Sequence, residues 1–163
     1  MKKILLTSAL VATATIATAD IVGPDMSTTL NVTNLATSCS FAGPLSGAMS
    51  YDEPNGQFVN TGGSDAPATM AITYRSLTTI TVTNDGVFDG KAGAITAIDY
   101  GTSNFDGTTL VAGNALAASA TLTPSGALQI GTLTVDPVTV DVAVADIDDL
   151  GAYPVAFTVT CIE

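Results

Sequence analysis

The stretch "DMSTTLNVTNLATSCSF", residues 25–41, carries no charge after its first residue and contains Cys39, the first of the chain's two cysteines. Over residues 25–33, the apolar residues Met26, Leu30 and Val32 share one parity, and polar residues fill the other. Successive side chains of a β-strand point to opposite faces, so this alternation predicts a strand with one apolar face. Such a strand can pair inside its own domain or with another molecule, and the pattern alone leaves both open.

The start of the chain resembles a secretory signal. Residues 1–19 combine two lysines, a short apolar segment and the ending "ATA", which fits the small-x-small cleavage pattern. The apolar segment is too short, and too often interrupted by threonine, for a membrane span of about 20 residues. We therefore predict a signal peptide over 1–19, an N-terminal extension over 20–36 and one exported domain over 37–163.

The remaining composition is typical of strands and turns. Threonine, valine, alanine and glycine dominate, and turn signals such as "NDG" (84–86) and "PSG" (124–126) separate short alternating segments. This pattern predicts an all-β, immunoglobulin-like sandwich. Residues 52–66 are the most loop-like, and only 114–120 have a helical composition. The predicted strands cover 28–35, 68–85 (two strands or one bent strand), 92–101, 108–113, 118–135 (two strands around a turn), 138–146 and 152–162.

The charge balance argues against several partners. Fifteen acidic residues accompany four basic ones, and two of the four, Lys2 and Lys3, lie in the predicted signal peptide. Only Arg75 and Lys91 would remain. An acidic surface repels phosphate backbones and anionic lipids. We therefore expect no nucleic-acid binding and no membrane insertion after cleavage, and we interpret the acidic residues as a solvated surface.

The sequence offers little for catalysis. It contains no histidine, which removes the commonest general base and metal ligand. Lys91 lies in a turn sequence, where an exposed ammonium is expected. We predict that the chain is not an enzyme and has no cofactor.

Asp146, Asp148 and Asp149 form the one acidic cluster with near-alternate spacing. Carboxylate oxygens at such positions can bind Ca²⁺, but the spacing of an EF-hand loop and its final glutamate are missing. A solvated turn between the last two strands is the favoured interpretation, and these aspartates are weak metal candidates.

Cys39 and Cys161 are the only cysteines. In an exported chain, two cysteines predict one disulfide. Closing a loop of about 120 residues would stabilise the fold by up to about 4–5 kcal/mol in the chain-entropy model.

Both ends of the chain resemble one known family. "TTLNVTNLATSCSF" (28–41) is similar to the beginning of spore coat U proteins, the archaic chaperone–usher pilus subunits, and "DDLGAYPVAFTVTCIE" (148–163) is similar to their end. The family has a Thr-rich strand, a small-residue spacer, and a cysteine that opens an incomplete immunoglobulin-like sandwich. This chain departs from the family at its second cysteine, because Tyr74 stands where a cysteine is expected and Cys161 comes far later.

The resemblance implies assembly by donor-strand complementation. Residues 20–36 would be the donor segment, with Met26, Leu30 and Val32 pointing into a neighbour's groove. A periplasmic chaperone would hold the groove in transit, and an outer-membrane usher would export the chain into a cell-surface pilus or fimbria used in adhesion. The alternative is a self-contained, monomeric, secreted or surface β-sandwich that acts as a binding module.

Overall fold

The structure is a computed structural model, and it describes residues 25–34, 39–42, 46–52, 54–60, 65–143 and 152–163. Every regular element in these ranges is a β-strand. The strands are β1 (Asp25–Asn34), β2 (Ser40–Ala42), β3 (Ser46–Asp52), β4 (Gln57–Val59), β5 (Ala68–Tyr74), β6 (Thr79–Asn84), β7 (Ile95–Asp99), β8 (Asn104–Phe105), β9 (Thr108–Thr109), β10 (Val111–Asn114), β11 (Ala117–Thr121), β12 (Gln129–Val135), β13 (Thr139–Val142) and β14 (Ala152–Ile162).

These strands form two sheets. One sheet has the order β10-β11-β6-β14-β1-β3-β4-β13-β7, and the other has the order β2-β5-β12-β8-β9. Buried side chains of both sheets belong to one hydrophobic cluster, as expected when two sheets pack face to face. The prediction of an all-β sandwich is therefore confirmed.

Along the central strands, buried side chains alternate with more exposed ones, as expected for a half-buried strand. Along β5, the residues Ala68, Met70, Ile72 and Tyr74 are buried, while the residues between them are half-buried. The strong period of two in the sequence therefore corresponds to one core-facing row and one outward row.

The predicted turn at residues 84–86 is present and supports β14. Gly86 has a φ of 75°, and its backbone N–H donates to Asn84 Oδ1 at 2.7 Å. Asn84 Nδ2 donates to the carbonyl oxygen of Ala156 at 2.9 Å. The buried amide thus closes the turn with one end and contacts the last strand with the other.

The longest strand predictions agree with the structure. The segment 152–162 is β14 from its first residue to its last, and 68–85 contains two separate strands, β5 and β6. The segment 118–135 also contains two strands, β11 and β12, on either side of the predicted turn.

One local prediction was wrong, and one compositional signal did not correspond to a helix. The segment 52–66, predicted as a loop, contains β4, because the turn at 54–56 reverses the chain and pairs Gln57 with Asp52. Within the segment 114–120, noted for its helical composition, β11 begins at Ala117 and pairs with β6. In both cases pairing with a neighbouring strand prevailed over local composition.

Candidate functional site

The N-terminal strand lies within its own domain. β1 pairs along its full length with β14 in parallel, from Asp25–Ala152 to Asn34–Cys161. Its first half also pairs with β3 in antiparallel fashion, from Asp25–Ser50 to Thr29–Ser46. β1 therefore fills the space between β14 and β3 of its own chain.

The register aligns one parity of β1 with the core rows of both neighbours. Met26 is opposite Met49 of β3, which is 2% exposed. On the other side, Leu30 is opposite Phe157 and Val32 is opposite Val159. Both of these β14 side chains are fully buried. The three residues predicted for the donor face thus occupy register positions beside core residues.

The first half of β14 depends on β1 for its strand pairing. β6 pairs with β14 only from Phe157 to Ile162. Among the described strands, β1 is the sole ladder partner of residues 152–156. Removing β1 would leave this half without a strand neighbour and would turn β3 into a sheet edge, and such unpaired edges promote association with other chains.

Aromatic side chains form the core beneath this region. Tyr153 stacks on Phe88 with ring centroids 4.7 Å apart, and Phe157 meets Tyr100 edge-on at 6.2 Å. Tyr100 is anchored because its hydroxyl donates to the carbonyl oxygen of Leu116 at 2.8 Å. Burial raises the pKa of Tyr100 above its usual value. The inner face of β14, the strand that pairs with β1, is thus well packed against aromatic core residues.

Cys39 and Cys161 are buried in the core close to this site. Their side chains share a hydrogen bond, but the two sulfurs are not at disulfide distance. Burial raises the pKa of both thiols, and for Cys161 the hydrogen bond that its thiol donates to Cys39 adds to the rise. The structure therefore shows the predicted pair side by side as thiols and does not show the predicted disulfide.

The other sequence candidates add no second site. Asp146, Asp148 and Asp149 lie outside the described residues, as do residues 1–24, which include the predicted signal peptide. Among the residues that the structure describes, no group of three or more acidic, histidine or cysteine side chains is arranged to bind a metal ion.

Sequence analysis missed β3 as the second neighbour of β1. The segment 46–52, "SGAMSYD", begins with small residues, and its buried positions are Gly47 and Met49. Met49 and Tyr51 share the parity of a core row, which was the available signal, but the alternation is too short to stand out.

Comparison of the sequence with models of known protein families gives no match, and comparison with curated proteins gives none either. The resemblance to spore coat U proteins remains a prediction. Across the described ranges, no helix has the length and apolar character needed to cross a membrane.

Proposed function

We propose that this chain is a structural subunit of an extracellular pilus or fibre that assembles by exchange of β1 between copies. One observation supports the proposal most directly: β1 fills a space between β14 and β3 and pairs with both. It does so from the N-terminal end of the described chain, so it can be withdrawn without breaking any other ladder.

Pairing within one chain also defines what the groove accepts. Every copy carries the same β1, so a neighbour's β1 can make the same backbone hydrogen bonds and align its Leu30 with Phe157 in the same way. Exchange of an identical element between copies is a low-cost route to association. A contact of this kind between different surfaces, repeated head to tail, produces an open filament.

The segment that joins β1 to the domain is short. Residues 35–38 lie between Asn34 and Cys39, and an extended chain covers at most about 3.3–3.6 Å per residue. A donated β1 would therefore reach only a copy in direct contact with its own domain. A short connection favours close stacking of subunits over loosely tethered ones.

Export and assembly partners belong to the same proposal through the resemblance to archaic chaperone–usher subunits. The chain would lose residues 1–19, pass through the periplasm with a chaperone in its groove, and reach the cell surface through an outer-membrane usher. Its partners would be further copies or related subunits, and its role would be structural rather than catalytic. The oxidising compartment would also allow the disulfide between Cys39 and Cys161.

A second candidate is a self-contained, monomeric, exported β-sandwich that acts as a binding module. It is favoured by the pairing of β1 within its own chain, which leaves no gap between β3 and β14 in the described part of the sheet. The two candidates differ in whether β1 ever leaves this position.

The test is to refold the chain over residues 20–163 at increasing protein concentration and to measure oligomer size. We expect ladders that resist SDS without heating and whose share grows with concentration. The informative variant is Leu30→Asp, which places a charge at a register position beside Phe157. It should lower the total yield of SDS-resistant oligomers at least about tenfold, because a carboxylate opposite Phe157 would weaken the docking of β1 in any copy by several kcal/mol.

Thr29→Asp is the matched control, because Thr29 lies on the other parity of β1 and is opposite Ala156, which is half-buried. Its oligomer yield should stay within about threefold of the unmodified chain, a change below about 1 kcal/mol. A single monomer peak at every concentration would reject the fibre proposal in favour of the second candidate. Normal filaments from a chain that lacks residues 20–36 would show that β1 is not the donor.

A further inference from the structure

Two thiols face each other across the core at the base of β1. Cys39 directly precedes β2, an edge strand of the five-stranded sheet, and Cys161 lies on β14 in the nine-stranded sheet. Their side chains share a hydrogen bond, and they are 4% and 0% exposed. A covalent bond between them would join the two sheets.

Both ends of the connecting segment converge on Cys161. Asn34, the last residue of β1, is opposite Cys161 in the β1–β14 ladder. The segment 35–38 then leads to Cys39, which contacts Cys161 from the other sheet. The end of β1 and the residue that precedes β2 therefore both lie beside Cys161.

Apart from the contact between Cys39 and Cys161, few interactions hold β2 in place. It has three residues and pairs only with β5, through Ser40, Phe41 and Ala42. A strand of this length at a sheet edge is readily lost, because few hydrogen bonds fix it. Withdrawal of β1 would pull on the chain directly in front of β2.

We infer that Cys39 and Cys161 are an oxidation site, and that the resulting disulfide fixes the base of β1 so that this strand can leave its groove while β2 stays in place. The second half of this inference rests on the proposed exchange of β1. The first half, the oxidation itself, stands on the contact between the two side chains.

The reaction balances with a disulfide oxidant, either a protein dithiol–disulfide oxidant or glutathione disulfide. One cysteine thiolate attacks the oxidant's disulfide and forms a mixed disulfide, and the second thiolate displaces the oxidant's remaining thiol. Cys39 and Cys161 lose two protons and two electrons, and the oxidant is reduced to two thiols. The two sulfurs must approach to about 2.05 Å, which requires a shift from hydrogen-bonding contact to bonding distance.

Burial sets the order of events. The thiolate is the reactive form, and burial both blocks access and raises the pKa of each thiol. We therefore expect oxidation to occur during folding, before β1 docks beside Cys161. In the folded reduced chain it should be slow.

The first experiment refolds the chain over 20–163 with glutathione disulfide and measures its mass after trapping of remaining thiols. We expect no trapped thiols and a loss of about 2 Da for the two hydrogens. The same oxidant added after folding should act at least about tenfold more slowly, because the folded state hides both thiols. A chain that keeps both thiols after refolding with oxidant would overturn the oxidation site.

The second experiment measures amide hydrogen exchange in β2, Ser40–Ala42, for the oxidised and the reduced chain. The two redox states are compared under two conditions that weaken the docking of β1. One is the Thr28→Pro substitution, and the other is hydrogen exchange of the wild-type chain in low urea. In both settings we expect exchange in β2 to be at least about tenfold slower in the oxidised chain. A Cys161→Ala chain, which cannot form the bond, should match the reduced state under either condition.

Equal exchange in β2 for both redox states would overturn the anchoring role. Failure of the fibre proposal gives a different result, since a chain that forms only monomers would still show both the mass change and the difference in β2 exchange. The two ideas therefore fail separately.

Discussion

β5 and β14 are central strands of the two sheets, and they differ in where their partners come from. Both alternate with a period of two and bury every second side chain. β5 pairs along its whole length with β12, a strand from the interior of the sequence rather than from its N-terminal part. β14 pairs from Ala152 to Cys161 with the N-terminal β1, and β6 covers only its second half, from Phe157 to Ile162. Two strands with the same sequence pattern can therefore differ completely in how easily they lose a neighbour.

The difference shows that hydrophobic alternation specifies a face but not a partner. Ile72 and Phe157 are both fully buried, yet only Phe157 lies on a strand whose first half has β1 as its sole described ladder partner. Side chains of both strands belong to the same hydrophobic core. The edge of the first half of β14 is held by the N-terminal strand β1 alone among the described strands, and this is the basis for proposing strand exchange.

The largest expected effect comes from truncating the core at these two strands. Phe157→Ala should lower the free energy of unfolding by about 3–5 kcal/mol, and Ile72→Ala by about 2–5 kcal/mol, both measured by urea denaturation. Only Phe157→Ala should also speed hydrogen exchange in β1, because Leu30 is opposite residue 157.

The control for this pair is Ile130→Ala, since Ile130 is 72% exposed and its truncation should cost no more than about 0.5 kcal/mol. If Ile72→Ala exposed β1 as strongly as Phe157→Ala, the two strands would not differ in the way proposed.

A proline in β1 tests the ladder directly. Thr28 pairs with Val155 on one side and Gly47 on the other, so the loss of its N–H removes a ladder hydrogen bond. Thr28→Pro should cost about 3 kcal/mol through the lost bond and the altered backbone, read from the urea midpoint. Thr28→Ala keeps the N–H and should cost less than about 1 kcal/mol. Equal costs for the two variants would mean that the β1 ladder does not form in solution.

Sequence reasoning was strongest for strands that are long and central. The period of two over 152–162 predicted β14 from end to end, because both faces of that strand keep their character along its length. It was weakest for β2 and β4, which have three residues each. In β4 a single buried side chain, Phe58, supplies the packing, so no period could be seen.

The candidate site was predictable in part. The alternation of Met26, Leu30 and Val32 identified β1 as a strand, and the cysteine count brought Cys39 and Cys161 together. The parallel pairing of β1 with β14 could not be predicted, because it joins segments at opposite ends of the chain and leaves no local signal. The thiol state of the cysteines in the structure also has no signature in the sequence.

A smaller effect is expected on the β5 side of the comparison. Gly131 of β12 lies beneath the ring of Phe105, and an added Cβ would lie 2.6 Å from Phe105 Cζ. Gly131→Ala should therefore cost about 1–3 kcal/mol through overpacking. Because β12 is enclosed, the loss should appear as global destabilisation without selective exposure of β1 in hydrogen exchange.

Gly113→Ala is the matched control, since the nearest atom to its Cβ would be the Ala117 carbonyl oxygen at 3.9 Å. Its cost should stay within about 0.5 kcal/mol. A harmless Gly131→Ala would show that the Phe105 ring moves aside freely.

The smallest expected effect is the change in unfolding free energy at alkaline pH that arises from the two thiols beside β14. Burial raises the pKa of Cys39 and Cys161 in the folded chain, so above the usual thiol pKa of about 8.5 the unfolded chain loses protons that the folded chain keeps. The thiols thus favour the folded state fully below that pH, and this contribution falls as pH rises. Between pH 8 and 9.5 the reduced chain should lose about 1 kcal/mol of unfolding free energy, measured by urea titration at each pH.

The oxidised chain has no thiols to ionise and should change less over the same interval. Identical pH profiles for the two redox states would mean that the cysteines titrate normally, and hence that the core around Cys161 is open to water.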